Sequence, residues 1–134
     1  MGCTSADCII TLKSSSEGRY LEASSGDSVV AKTQQINEEA KWYISFVTGR
    51  AINLKSKVSG KYLTANPAGS LKHDRDAAGS WETFELKGPV GGGYPLQTAH
   101  NRYVTVTANG AVNGNQINID DAEPFKINVC SDCE

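Results

Sequence analysis

Residues 52–86, INLKSKVSGKYLTANPAGSLKHDRDAAGSWETFEL, decide the fold. Ile52 and Leu54 alternate with polar residues up to a Ser-Gly turn, Tyr62 and Leu63 lead into a Pro-Ala-Gly turn, and Ser70-Leu71-Lys72 precedes a closing Trp81, Phe84 and Leu86. Apolar alternation broken by turn residues is the pattern of short strands joined by hairpins, here four of them. Four short strands cannot bury their own apolar face, so the pattern should recur along the chain.

It recurs at a shift of about 42 residues. Leu12, Leu54 and Leu96 share a column, as do Tyr20, Tyr62 and Tyr103; Ala23, Ala65 and Val106; Gly26, Gly69 and Gly110; and Val30, Leu71 and Val112. Trp42, Phe84 and Phe125 align in the closing strands, with Ile44, Leu86 and Ile127 two places on. Three repeats, near 8–50, 51–93 and 94–130, of four strands each give twelve strands with approximate threefold symmetry. That is the arithmetic of an all-β single domain, a β-trefoil; a propeller needs more blades than 134 residues supply, and a sandwich has no reason for a threefold period. The one short helical candidate is Asn37 to Lys41. The Trp42 column should close the core, whereas Trp81, three places ahead of Phe84, falls in a different environment, partly exposed or under a loop. Gly26-Asp27 and Asn109-Gly110 read as hairpin turns, the latter of type I′.

Leu54-Lys55-Ser56, then Gly60-Lys61-Tyr62-Leu63-Thr64-Ala65, Gly69, and Trp81-Glu82-Thr83-Phe84-Glu85-Leu86 resemble the repeat of fascin-like (actin cross-linking) β-trefoils. Leu12-Lys13-Ser14 with Gly18-Arg19-Tyr20-Leu21-Glu22-Ala23 echoes it, and Asn101-Arg102-Tyr103-Val104 with Glu123-Pro124-Phe125 is a looser copy. The resemblance covers nearly all of the chain, and its motifs are core and turn residues that speak to fold more than to activity. It implies actin filaments as partner, contacted through basic residues on the loops: Lys55, Lys57, Lys61, Lys72 and Arg75.

Those residues also stand out by charge. From Arg50 to His73 there are five basic residues and no Asp or Glu, in a chain of net charge −2. The acidic total argues against general nucleic-acid affinity, while the local patch would steer toward an acidic partner. Its bland reading is a set of hairpin-end lysines that keep the surface soluble. The second function class is a carbohydrate-binding lectin, with Tyr43, Trp81 and Tyr94 as candidate platforms and the amides Asn113, Asn115, Gln116 and Asn118 in one loop. The Gln-x-Trp signature of ricin-type lectins is absent, since Gln35-Ile36-Asn37 and Gln116-Ile117-Asn118 put Asn in the place of Trp. A protease inhibitor of the soybean-trypsin type shares the fold, but no reactive loop stands out.

No nucleophile elbow, HExxH, phosphate-binding loop or distinctive carboxylate pair points to an enzyme, and no cofactor is expected. His73-Asp74-Arg75-Asp76 reads as a solvated loop and Gly88 to Gly93 as a flexible connector. No run of about 18 apolar residues is present to span a membrane. The start MGCTSADCII carries no evident signal peptide, and Ala6 stands where a myristoylation motif wants Ser or Thr. All four cysteines sit at the ends, Cys3 and Cys8 against Cys130 and Cys133, which a trefoil would bring together. Two disulfides, a four-thiolate zinc site and free thiols all remain open. The disulfide form would contribute on the order of 4 kcal/mol through chain entropy. A native Met1 places the chain in the cytoplasm; disulfides place it outside.

Overall fold

The computed structural model describes residues 8–130. They form twelve strands: β1 Ile9–Ser14, β2 Tyr20–Ala23, β3 Val29–Thr33, β4 Trp42–Thr48, β5 Ala51–Ser56, β6 Tyr62–Ala65, β7 Leu71–Arg75, β8 Phe84–Leu86, β9 Leu96–Gln97, β10 Tyr103–Val106, β11 Val112–Gln116 and β12 Phe125–Val129. The chain is all-β, and every pairing between strands is antiparallel among the described residues. Along one path β9, β8, β5, β4, β1 and β12 follow as neighbours. Tyr94, just ahead of β9, exchanges two backbone bonds with Phe125 of β12, at 2.8 and 3.0 Å. β2–β3, β6–β7 and β10–β11 are the three remaining hairpins.

Alternation places the same kinds of residue inside each time. Leu12, Leu54 and Leu96, with Trp42, Phe84 and Phe125, are fully buried in one core. The Trp42 indole Nε1 donates to the Leu21 carbonyl at 3.0 Å, so its one polar atom is satisfied within that core. Removing any one of these aromatic rings would cost about 3–5 kcal/mol, a large share of the stability of an ordinary domain.

The three hairpins are tied tip to flank by one backbone bond each. His73 N donates to Asp27 O at 3.1 Å, Gly114 N to Gly69 O at 2.8 Å, and Ala31 N to Gly110 O at 2.8 Å. This corrects two of the columns read from sequence. Val29, not Val30, is the buried counterpart of Leu71 and Val112, and Asp27, not Gly26, holds the place of Gly69 and Gly110. The first hairpin takes its left-handed residue one position earlier, at Gly26 (φ 69°). Asn109 has no positive φ, so the Asn109-Gly110 turn is not type I′; Gly110 alone (φ 93°) turns the chain there.

Other expectations shift similarly. The helical candidate is a single 3-10 turn, Glu38–Ala40, whose Asn37 side chain accepts from Ala40 N at 3.1 Å. Matching turns at Ser80–Glu82 and Ile119–Asp121 gave no sequence signal, and Trp81 lies in the first of these rather than in a strand. His73 is buried in β7, not solvated: its Nε2 donates to the Ser24 carbonyl at 2.8 Å, which leaves Nδ1 to accept from the Ser59 hydroxyl at 3.0 Å. Asn113, Asn115 and Gln116 belong to β11, so the expected amide loop is a strand edge.

Gly69 and Gly26 provide a test of the tip contacts. A Cβ on Gly69 would come within 2.7 Å of Asn115 Cβ, whereas one on Gly26 meets nothing. Gly26→Ala should therefore cost only the roughly 1–2 kcal/mol of a left-handed alanine, and Gly69→Ala clearly more, as read by urea midpoints at equal slope.

Candidate functional site

Lys55, Tyr62 and Arg75 fall in one row across β5, β6 and β7, because Lys55 registers with Tyr62 and Tyr62 with Arg75. The Lys55 ammonium lies 5.7 Å from the centre of the Tyr62 ring, a cation–π contact, and makes no ion pair among the described residues. The same contact recurs between Lys13 and Tyr20, also at 5.7 Å. Lys61 sits at the edge of the row, paired with Asp76, and Arg75 Nε lies 3.7 Å from Asp74. Arg75 and Asp76 open a surface depression of about 550 Å3 that runs on to Trp81 and Glu82.

The other two predicted bases point elsewhere. Lys57 reaches back to Glu38 of the first repeat at 3.1 Å, where it shares that carboxylate with Lys41. Lys72 lies among the hairpin tips, 3.6 Å from Asp27, beside a cleft of about 270 Å3. The structure thus gathers Lys55, Lys61 and Arg75, sets Lys57 against the neighbouring repeat and leaves Lys72 further along β7, at the hairpin tips beside Asp27. The acid-free window from Arg50 to His73 is also less basic in space than in sequence. Asp27, Glu38, Asp74 and Asp76 come from outside that window to meet its lysines and Arg75.

Two of these acids, Glu38 and Asp76, are held in the charged form by their lysine partners. Hydrogen bonds from Lys41 and then Lys57 hold the Glu38 carboxyl below its usual 4.5, and the bond from Lys61 holds Asp76 below its usual 3.8. Both carboxylates are exposed, so screening by water and salt leaves each pair worth little.

Two further carboxylates are buried, and both serve the scaffold. Glu82 accepts from Gly79 N at 2.7 Å and from the Thr64 hydroxyl at 2.5 Å; Glu123 accepts from Ser16 N and Ser16 Oγ, both at 2.7 Å. In the first repeat Ala40 holds the corresponding place, and Glu22 of β2 ties the loop instead, accepting from Lys32 N, Thr33 N and the Asn37 amide. Each acid is taken up by the loop it braces.

At the chain ends, Cys8 and Cys130 each take part in a disulfide, and Cys130 N donates to Ile9 O at 2.8 Å, placing the two ends of the described chain side by side. Cys3 and Cys133 lie outside the described residues, as do Met1, Gly2 and Ala6 of the lipidation reading. No helix among the described residues is long and apolar enough to cross a membrane.

Comparison with known families places this all-β scaffold. The fascin-domain model matches residues 4–86, more than half of the chain, and the chain belongs to the fascin domain family. Domains of this family are non-enzymatic binding modules. No curated protein matches the chain.

The charge pairs predict a titration. A carboxyl whose folded pKa is lowered adds stability above its unfolded value and loses it as the pH falls through the folded one. Carboxyl NMR should therefore find Asp76 titrating below 3.8, with the midpoint restored to about that value in Lys61→Ala. An unchanged Asp76 midpoint in that variant would show that the pair does not form in solution.

Proposed function

We propose that the chain is a single β-trefoil domain that binds actin filaments through the Lys55–Tyr62–Arg75 row, with Lys61 at its margin. Support for the trefoil comes from the three recurring hairpin bonds and from the Tyr94–Phe125 bridge at the end of the strand path. Support for the filament comes from membership of the fascin domain family, whose match contains all of these bases. The observation that carries the surface is the row itself: Lys55 stands unpaired on an aromatic ring between flanking bases.

Filaments are acidic, and the acids that accompany this row are exposed. Exposed pairs contribute about 0–1 kcal/mol, so a filament carboxylate can replace Asp74 or Asp76 at small cost. Such contacts act chiefly on association rate and weaken as salt rises. Bundling needs a second filament site, so one row accounts for binding and not for cross-linking. This reading places the chain in the cytoplasm, with the filaments.

Co-sedimentation tests it. The wild type should pellet with filaments at about 50 mM salt and largely fail to at about 300 mM, where the screening length has fallen from about 14 to about 6 Å. Reversal of Lys55, Lys61 and Arg75 to Glu should abolish pelleting at low salt, while Lys72→Glu, at the hairpin tips and paired with Asp27, should leave it intact. A wild type that stays in the supernatant at low salt would overturn the proposal.

A further inference from the structure

The leucines and aromatics of the core recur in all three repeats, so exposed residues that occur in one repeat only and are not taken up by a loop are open to another use. Four departures cluster at one place. Trp81 stands where the other repeats have Glu39 and Ala122; Glu85 where they have Tyr43 and Lys126; Gln97 where they have Lys13 and Lys55. Asn101 holds a left-handed backbone (φ 59°) that Gly18 (φ 68°) and Gly60 (φ 71°) hold elsewhere. A side chain at that position is uncommon and strained relative to glycine, and here it puts an amide on the surface.

Glu85 and Gln97 face each other across β8 and β9 and, with Thr98, Asn101 and Ser80, line a depression of about 420 Å3. Ser80 also lines the depression that Trp81 borders, so the two adjoin. Trp81 is 38% exposed and meets the His100 ring edge-on at 5.1 Å. His100 is itself pinned, its Nε2 donating to the Ala65 carbonyl at 2.8 Å, and Ala99 and Asn101 on either side of it line the polar depression. The turn that carries Trp81 is held by the two bonds to Glu82. The indole is therefore a fixed platform.

From this geometry we infer a single binding site for a neutral sugar, with Trp81 as the stacking face and Glu85, Gln97 and Asn101 as its hydrogen-bonding edge. The ligand class follows from the chemistry. Gln97 Nε2 donates to the Tyr103 hydroxyl at 3.3 Å, which leaves its carbonyl oxygen as an acceptor, and the Glu85 carboxylate beside it is a second, charged acceptor. Two acceptors on neighbouring strands suit adjacent hydroxyl groups, and the Asn101 amide adds donors. No cationic side chain lines the depression among the described residues; Lys87, 3.8 Å from Glu85, lies outside it. The nearest cations, Lys87 beside Glu85 and Arg75 in the adjoining Trp81 depression, each already face a carboxylate, so an acidic ligand finds no free counter-charge in the polar depression. The disulfide-bonded Cys8 and Cys130 fit an oxidising compartment, where glycans are displayed.

The test uses fluorescence, because Trp42 is fully buried and Trp81 is the accessible indole. Glucose, galactose, mannose, N-acetylglucosamine and their disaccharides, each titrated to about 10 mM, cover the weak affinities expected of a shallow site, and a glycan array extends the panel. The expected result is a saturable change in emission with at least one of them, weakened about tenfold or more in Gln97→Ala and in Asn101→Gly. The latter removes the amide while keeping the backbone a glycine prefers, so it should not lower the melting temperature. Trp81→Ala should bind no sugar on the array and still pellet with filaments as the wild type does. No response to any glycan, equal binding by the variants, or loss of filament pelleting in Trp81→Ala without glycan binding would each overturn the site.

Discussion

One repeat of this chain has an apolar face it cannot cover, and burial of Trp42, Phe84 and Phe125 against Leu12, Leu54 and Leu96 is the constraint on which the rest depends. Apolar area leaves water only if all three repeats are present, since each contributes one aromatic ring and one leucine to the same core. The hairpins then meet, and the bonds from His73, Gly114 and Ala31 to the preceding tips link each hairpin to another. Outer-face residues inherit their places from this arrangement. Lys55 lies on Tyr62 because the core fixes the β5–β6 register, and a slip of one residue would turn both to the opposite face.

The core was legible in sequence because leucines and aromatics at a fixed period are a direct record of burial. The tips were legible only to within one residue, since Gly26 and Asp27 divide between them the work that Gly69 and Gly110 each do alone. The 3-10 turn Glu38–Ala40 left a trace through Asn37, whereas the turn at Ser80 starts on Gly79, which has no side chain and is capped in reverse by Glu82, and the one at Ile119 has no side-chain cap. His73 was misread because its neighbours Asp74, Arg75 and Asp76 are polar, while its own bonds are to Ser24 and Ser59, remote in sequence. Charge was the least legible. A window of sequence counts the bases of one repeat and misses Glu38 and Asp27, which the fold delivers from another.

The two surfaces divide by what surrounds them. The Lys55 row is basic, aromatic-backed and flanked by exchangeable acids; the depression of Glu85, Gln97 and Asn101 is polar and has no cation among its lining residues, and Trp81 stands between the two, sharing its own depression with Arg75. They also pull toward different compartments, since filaments lie in a reducing cytosol and disulfides at Cys8 and Cys130 belong to an oxidising one. The thiol titre of the protein taken from its source separates these settings: oxidised ends favour the sugar-facing role in vivo, reduced ends the filament.

The central claim is that filament contact is confined to one row of the scaffold, and residue-resolved NMR tests it most directly. With unlabelled filaments added to labelled protein, amide signals of Lys55, Lys61, Tyr62 and Arg75 should lose intensity first, while those of Trp81, Gln97 and Asn101 persist. Early loss centred on the Trp81 face, or no selective loss at any filament concentration, would contradict the account.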